Sequence, residues 1–271
     1  MSTSSLMTMV RADIGFYLHT RRFKVVLPIY VILALIIPIL YGAGVLQKPP
    51  DINDYTTSAL GELVSATVLL TALLAGDSIS QDFGRQGFFT LTQPVRRSEI
   101  MLARTLAAFL FSEVAMLLWI GIGLASGYAF YGAVVANWGL ILAISALFVG
   151  SVVSFVVLFS SLFKGPSISV VVSVLVVWLV MPLITGVLDL AGVEPSFLLT
   201  YAGDVVTNLT AISYPQHVTS ITASGGGGIT ITITTFEPYV WEGVVIMAAY
   251  LVASLALAWL IYSRKELKDA S

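Results

Sequence analysis

Ile141-Leu142-Ala143-Ile144-Ser145-Ala146-Leu147-Phe148-Val149-Gly150-Ser151-Val152-Val153-Ser154-Phe155-Val156-Val157-Leu158-Phe159-Ser160-Ser161-Leu162-Phe163 runs for twenty-three residues without a charge. A bilayer core about 30 Å thick needs roughly 20 residues of helix to cross it. Only helices and closed barrels satisfy the backbone in lipid. A barrel strand alternates apolar and polar positions over a short segment, whereas this run is apolar on every side. It reads as a transmembrane helix. Working outward, five further segments meet the same test: Val25–Val45, Ser58–Ala75, Thr105–Tyr128, Ser167–Leu190 and Tyr239–Tyr262, with the quoted run extended back to Trp138. The whole chain agrees, at 58% hydrophobic and 10% charged residues with a mean hydropathy of +0.96. A soluble domain of this length needs far more charge on its surface. The expected fold is an all-α integral membrane protein with six transmembrane helices.

The basic residues give the orientation. Twelve of the thirteen Lys and Arg residues fall in the N-terminal segment, the second and fourth gaps, and the C-terminal tail, and only Lys48 lies on the other side. Short loops rich in Lys and Arg stay cytoplasmic, so both termini are expected in the cytoplasm of a multi-pass cell-membrane protein. Residues 1–24 lack the uninterrupted apolar region and small-residue cleavage site of a signal peptide. Instead Leu6, Val10, Ile14, Tyr17 and Leu18 recur at helical spacing. That predicts an amphipathic helix in the cytoplasmic interface, with Arg21, Arg22 and Lys24 at the lipid headgroups. Residues 25–190 then carry the first five spans, with a cytoplasmic loop at 76–104. Residues 191–238 form an extracellular insert, and 239–271 the sixth span and a cytoplasmic tail.

The insert contains no Lys or Arg. Its first part, Pro195–Ser213, has the apolar content of a short helix or re-entrant pair. Further on, Ile229, Ile231 and Ile233 alternate with Thr230, Thr232 and Thr234, and four glycines, Gly225–Gly228, separate this run from Val218–Ala223. A β-hairpin is expected. Asn208-Leu209-Thr210 matches a glycosylation sequon.

Several chemistries are excluded or unsupported. There is no Gly-x-x-x-x-Gly-Lys-Ser/Thr loop for ATP and no cysteine for disulfides or thiolate sites. His19 and His217, the only histidines, fall on opposite membrane faces, so no His pair has metal-ligand spacing. Nothing near His217 resembles a nucleophile elbow. The chain is therefore not expected to be an enzyme, to hold a cofactor or metal, or to bind nucleic acid. Two carboxylates fall inside spans: Glu62, near the outer end of the second, and Glu113, near the middle of the third. A charge at that depth is a functional candidate by default, and the alternative is a protonated group bonded to a neighbouring helix. Apart from glycines in the third span and Pro182 with Gly186 in the fifth, the spans read as continuous. Trp119, Trp138, Trp241 and Trp259 read as interface anchors, and Trp178 as packed within the bundle.

The longest cytoplasmic gap carries a pattern. Gln81-Asp82-Phe83-Gly84-Arg85-Gln86-Gly87-Phe88-Phe89-Thr90-Leu91-Thr92-Gln93-Pro94-Val95-Arg96-Arg97-Ser98-Glu99-Ile100-Met101-Leu102-Ala103-Arg104 resembles the first cytoplasmic loop of the ABC type-2 permeases. The matching stretch is Pro94-Val95-x-Arg97-x-Glu99-Ile100, with Arg104 in place of the family's usual basic residue. Gly87-Phe88 departs from the family's Gly-Thr and lies closer to Pro94. Pro94 turns Gln93 away from helix, and Ser98 is placed to cap a new helix running into the third span. The resemblance implies the membrane subunit of a prokaryotic ATP-driven exporter. Two copies, or this chain and a paralogue, would pair, and each would dock a separate cytosolic ATPase that carries the ATP and Mg²⁺. Segment 92–102 would be the coupling helix, with Phe88, Phe89, Pro94, Arg96, Arg97 and Glu99 at the docking surface. The path would be lined by the second and fifth spans. Two other readings stand beside it: a proton- or ion-coupled carrier acting alone, and a non-transporting anchor of a larger complex.

Overall fold

The computed structural model describes residues 3–83, 96–224 and 230–264. Among them are six helices long and apolar enough to cross a membrane, and the chain is mostly helical. Helix α1 (Thr3–His19) ends at Thr20, whose extended backbone (φ −68°, ψ 131°) opens α2 (Arg21–Gly42), the first span. Asp51 caps α3 (Ile52–Leu60) by accepting from the backbone N–H of Asn53 at 2.7 Å and of Asp54 at 3.0 Å. After a break at Gly61 and Glu62 the chain continues as α4 (Leu63–Ala75), and the two pieces make the second span. The third span is α5 (Arg97–Tyr131), closed by Gly132 in the left-handed conformation at φ 69°. The fourth is α6 (Trp138–Leu162).

The fifth span is made of α7 (Pro166–Val174), one wide π turn (Leu175–Val180) and α8 (Met181–Ala191). A short helix α9 (Leu199–Asn208) and strands β1 (Val218–Ser224) and β2 (Thr230–Phe236) precede α10 (Val240–Arg264), the sixth span. The strands pair antiparallel from Val218 opposite Phe236 to Ser224 opposite Thr230.

The second and fourth spans lie inside the bundle, with 67% of each apolar window buried, against 17% for the first, fifth and sixth. Interior α6 carries small residues where its neighbours come close. Ser145, Ser151, Ser154 and Ser161 turn their hydroxyls back onto carbonyls of the same helix, so none is left unpaired in the apolar interior. Helix α9 is wedged between α6 and α4 at Gly203, where a Cβ would stand 2.7 Å from the Phe148 ring and 2.9 Å from Val64. Only glycine allows that approach.

Two departures from the sequence reading bear on function. The second span begins at Ile52 rather than Ser58, because Tyr55 is fully buried among Tyr41, Phe130 and Tyr131, with ring centroids 5.4–5.6 Å away. The spans are also less continuous than read. The bend at Gly61 leaves the Ala59 carbonyl to accept from the Trp119 indole at 3.0 Å, a neighbour satisfying what the helix gave up. Trp119 is thus a buried hydrogen-bond donor instead of an interface anchor, and Trp178 is half-exposed rather than packed inside.

Candidate functional site

The turn that follows α4 gathers four spans. At its start the Gly76 carbonyl accepts the Ser169 hydroxyl of α7. The N–H groups of Ile79 and Ser80 both donate to Ser160 Oγ of α6, at 2.9 and 3.0 Å. Arg104 of α5 donates to the Ser78 carbonyl and pairs through Nη2 with Asp82 Oδ1 at 2.6 Å. Tyr262 of α10 donates its hydroxyl to Asp82 Oδ2 at 3.0 Å, and its own carbonyl accepts from Arg97 Nη1 at 3.4 Å. Asp82 is fully buried and Arg104 is 9% exposed. Helix α1 closes the arrangement, with the Tyr17 hydroxyl donating to the Leu74 carbonyl at 3.3 Å. Burial pushes the Asp13 carboxyl of α1 above its ordinary range, and the Arg104 charge opposes that rise. Between α1, the end of α4 and Pro166 lies a cavity of about 290 Å³ bordered by Tyr17, Phe23, Leu74, Asp77 and Gln81.

The loop of interest leaves this turn at Phe83, and the chain returns at Arg96. Phe88, Phe89 and Pro94 lie outside the described residues. Arg96 is exposed and is the N-cap of α5, so the helix starts two residues before the position at which Ser98 would cap it. Arg97 is half-buried against the end of α10, and Glu99 is buried. Of the three charges read as a docking surface, Arg96 alone is exposed. Arg104 points into the bundle. Its partner Asp82 stands 22 positions earlier, and Tyr262 looked like one more aromatic at a span end, so no local signal announced the triad.

At the opposite end of the bundle a cavity of about 540 Å³ opens between the second span, the fifth span and α9. Glu62, Ser65 and Val68 form one wall, Trp178, Pro182, Thr185 and Asp189 another, and Thr200, Tyr201 and Asp204 the third. The bend at Gly61 presents Glu62 to this space, and the π turn widens the fifth span at Val177 and Trp178. Burial, with the Glu237 and Asp189 carboxylates nearby, pushes Asp204 up to about 7. Glu113 lies elsewhere. It is half-buried on α5 beside Tyr30, whose hydroxyl shares a 2.7 Å hydrogen bond with Thr67 and whose ring meets Trp119 edge-on at 4.8 Å. Glu113 Oε2 is buried with no hydrogen-bond partner among the described residues.

The Asn208 amide donates to Glu237 Oε2 at 2.6 Å, and the buried Thr210 hydroxyl is bonded to the Thr207 carbonyl, so the folded chain engages both ends of the sequon. No protein-family model and no curated protein matches this chain.

Proposed function

We propose that this chain is the transmembrane permease subunit of an ATP-driven ABC exporter, working as a pair and driven by separate cytosolic ATPases. The observation that carries the proposal is the buried turn at Gly76–Phe83. The loop that resembles the family's coupling segment departs from the point where the third, fourth, fifth and sixth spans are tied together. A push on that loop from a docked ATPase reaches four spans through hydrogen bonds and one ion pair. In this reading α1 lies in the cytoplasmic interface and braces the turn through Tyr17. Both termini are cytoplasmic, and the insert with α9 and the hairpin is external. The second copy covers the fifth span, whose apolar face is largely uncovered within one chain. The path then runs beside the second and fifth spans, where the 540 Å³ cavity lies.

The test is copurification with an ABC ATPase encoded beside this chain. Arg96→Glu combined with Phe88→Ala and Phe89→Ala removes one exposed cation and two apolar anchors. Loss of anchors of this kind costs about 2 kcal/mol or more, roughly a 30-fold weaker complex. Retention of the ATPase at wild-type stoichiometry by a monodisperse variant overturns the docking assignment. In the same reconstituted complex, Glu113→Gln is expected to keep ATPase stimulation within about twofold of wild type. Its thermal stability should shift by no more than about 2 kcal/mol. A collapse of stimulation at unchanged stability would instead place Glu113 in the coupling path.

One set of observations favours the second reading, a proton-coupled carrier. The bent second span, the π turn and the carboxylates of Glu62, Asp189 and Asp204 meet at one cavity, as broken helices and acidic groups do in such carriers. Proton flux into vesicles that contain this chain and no ATPase separates the two readings.

A further inference from the structure

His217 stands just before β1, and its ring is fixed on two sides. Nδ1 lies 2.7 Å from the Glu237 carbonyl, which can only accept, so Nδ1 carries the proton and Nε2 is left with its lone pair. The ring also stacks on Tyr239, with centroids 4.4 Å apart and planes 17° apart. Nε2 then faces two carboxylates from distant parts of the chain. Glu194 follows α8, and Glu242 lies in the first turn of α10. Glu194 Oε2 is 3.6 Å from His217 Nε2, and its other oxygen accepts the Tyr201 hydroxyl at 2.9 Å. Glu242 is held at the start of its helix, where Oε2 accepts the Tyr239 N–H at 3.3 Å. One ligand atom from each of the three side chains lies within 4.8 Å of the other two. From Ala191 to Pro238 there is no Lys or Arg to neutralise the carboxylates.

From this geometry we propose that Glu194, His217 and Glu242 form a binding site for a divalent first-row transition-metal ion. One imidazole nitrogen and two carboxylate oxygens are a ligand set for Zn²⁺, Mn²⁺ or Fe²⁺, whereas Ca²⁺ and Mg²⁺ prefer all-oxygen shells. Bonds of about 2.0–2.2 Å place ligand atoms roughly 3.0–3.6 Å apart, so small side-chain rotations close the site. The outer layer is already built. The Glu237 carbonyl fixes the imidazole tautomer and Tyr201 orients Glu194, the arrangement that tunes metal ligands elsewhere. A metal here ties the end of the fifth span, the base of the hairpin and the start of the sixth span to one point. No pair of histidines has metal-ligand spacing in the sequence. This set uses one histidine and two glutamates, spaced 23 and 25 positions apart and assembled only by the fold. The site stands apart from the transport proposal, and failure of either leaves the other intact.

The test uses the full chain in detergent, stripped with chelator and titrated with Zn²⁺ or with Mn²⁺. Calorimetry and elemental analysis are expected to give one ion per chain. The melting temperature should rise by about 5 °C at a hundredfold excess over the dissociation constant. His217→Ala and Glu242→Gln should each lose that increment, and Tyr201→Phe should weaken binding about tenfold. If His217→Ala already melts lower without metal, Glu242→Gln decides the matter, since it keeps the side chain's shape. Wild-type Zn²⁺ binding in Glu242→Gln, or no stoichiometric binding in the unmodified chain, overturns the proposal.

Discussion

Arg104→Met is expected to lower stability by about 3–5 kcal/mol, the cost of breaking a buried ion pair from one side. The reason is the environment of Asp82. Its carboxylate is fully buried, with Arg104 on one oxygen and the Tyr262 hydroxyl on the other. Methionine fills most of the arginine's volume but leaves the carboxylate without its countercharge. It also removes one donor from the Ser78 carbonyl, which keeps the Gln81 side-chain amide at 3.3 Å. Replacing both members, Arg104→Met with Asp82→Leu, is expected to recover most of the loss, because a well-packed apolar pair often matches a buried ion pair. The double-mutant cycle should therefore show a coupling of about 2 kcal/mol or more. Thermal or denaturant unfolding in detergent measures it. Strictly additive losses would mean that Arg104 contributes packing and not charge. Copurification of the double variant with the ATPase proposed above adds a second readout, since that variant restores stability without restoring the ionic tie between the turn and the third span.

Asp204→Asn is expected to stabilise the protein above neutral pH. The Asp204 carboxyl is pushed up to about 7 in the folded chain, against about 3.9 when unfolded. A raised acid holds its proton more tightly when folded, so the folded state is favoured at low pH. That advantage drains away as pH rises from about 4 to about 7 and is gone above. At 1.36 kcal/mol per pKa unit the slope amounts to roughly 2–4 kcal/mol across the window. Asparagine carries no charge, so the variant should match wild type near pH 4 and exceed it by that amount at pH 8. Melting curves at the two pH values test this, and parallel curves would show that the carboxylate stays hydrated. Both readings of function use the result, because Asp204 lines the 540 Å³ cavity.

The fourth and sixth spans were legible because they are long apolar runs with almost no charge, and their helices match the reading within one or two positions. The hairpin was legible for a similar reason, since alternating Ile and Thr admits one period. The second span was misread at its start because Asn53 and Asp54 look like loop residues. The aromatic cluster that buries Tyr55 comes from Tyr41, Phe130 and Tyr131 on two other spans. The same limit explains Arg104. A basic residue in a basic loop reads as exposed, and only the return of the sixth span with Tyr262 closes a pocket around it. Glu62 was legible as an odd charge in an apolar segment. That Asp189 and Asp204 join it depends on how the fifth span packs on the second and on where α9 folds back, which local pattern does not encode.

Helix α5 runs from Arg97 to Tyr131 without a proline or a break, 35 residues in all. At 1.5 Å per residue it is a rod about 52 Å long, well beyond the thickness of a bilayer core. A rod that pivots near its middle behaves as a lever. A tilt of about 10° carries each end roughly 4–5 Å, in opposite directions. One end is fastened beside the basic loop by Arg97 and Arg104. At the other, Phe130 lies against Tyr55, and the Tyr131 hydroxyl holds the Pro49 carbonyl at 2.7 Å, just ahead of the bent second span. This unbroken helix contrasts with the second span, interrupted at Gly61, and with the fifth, widened at Leu175–Val180. In the proposed exporter the straight element would carry displacement from one end of the bundle to the other, and the two broken ones would absorb it beside the 540 Å³ cavity.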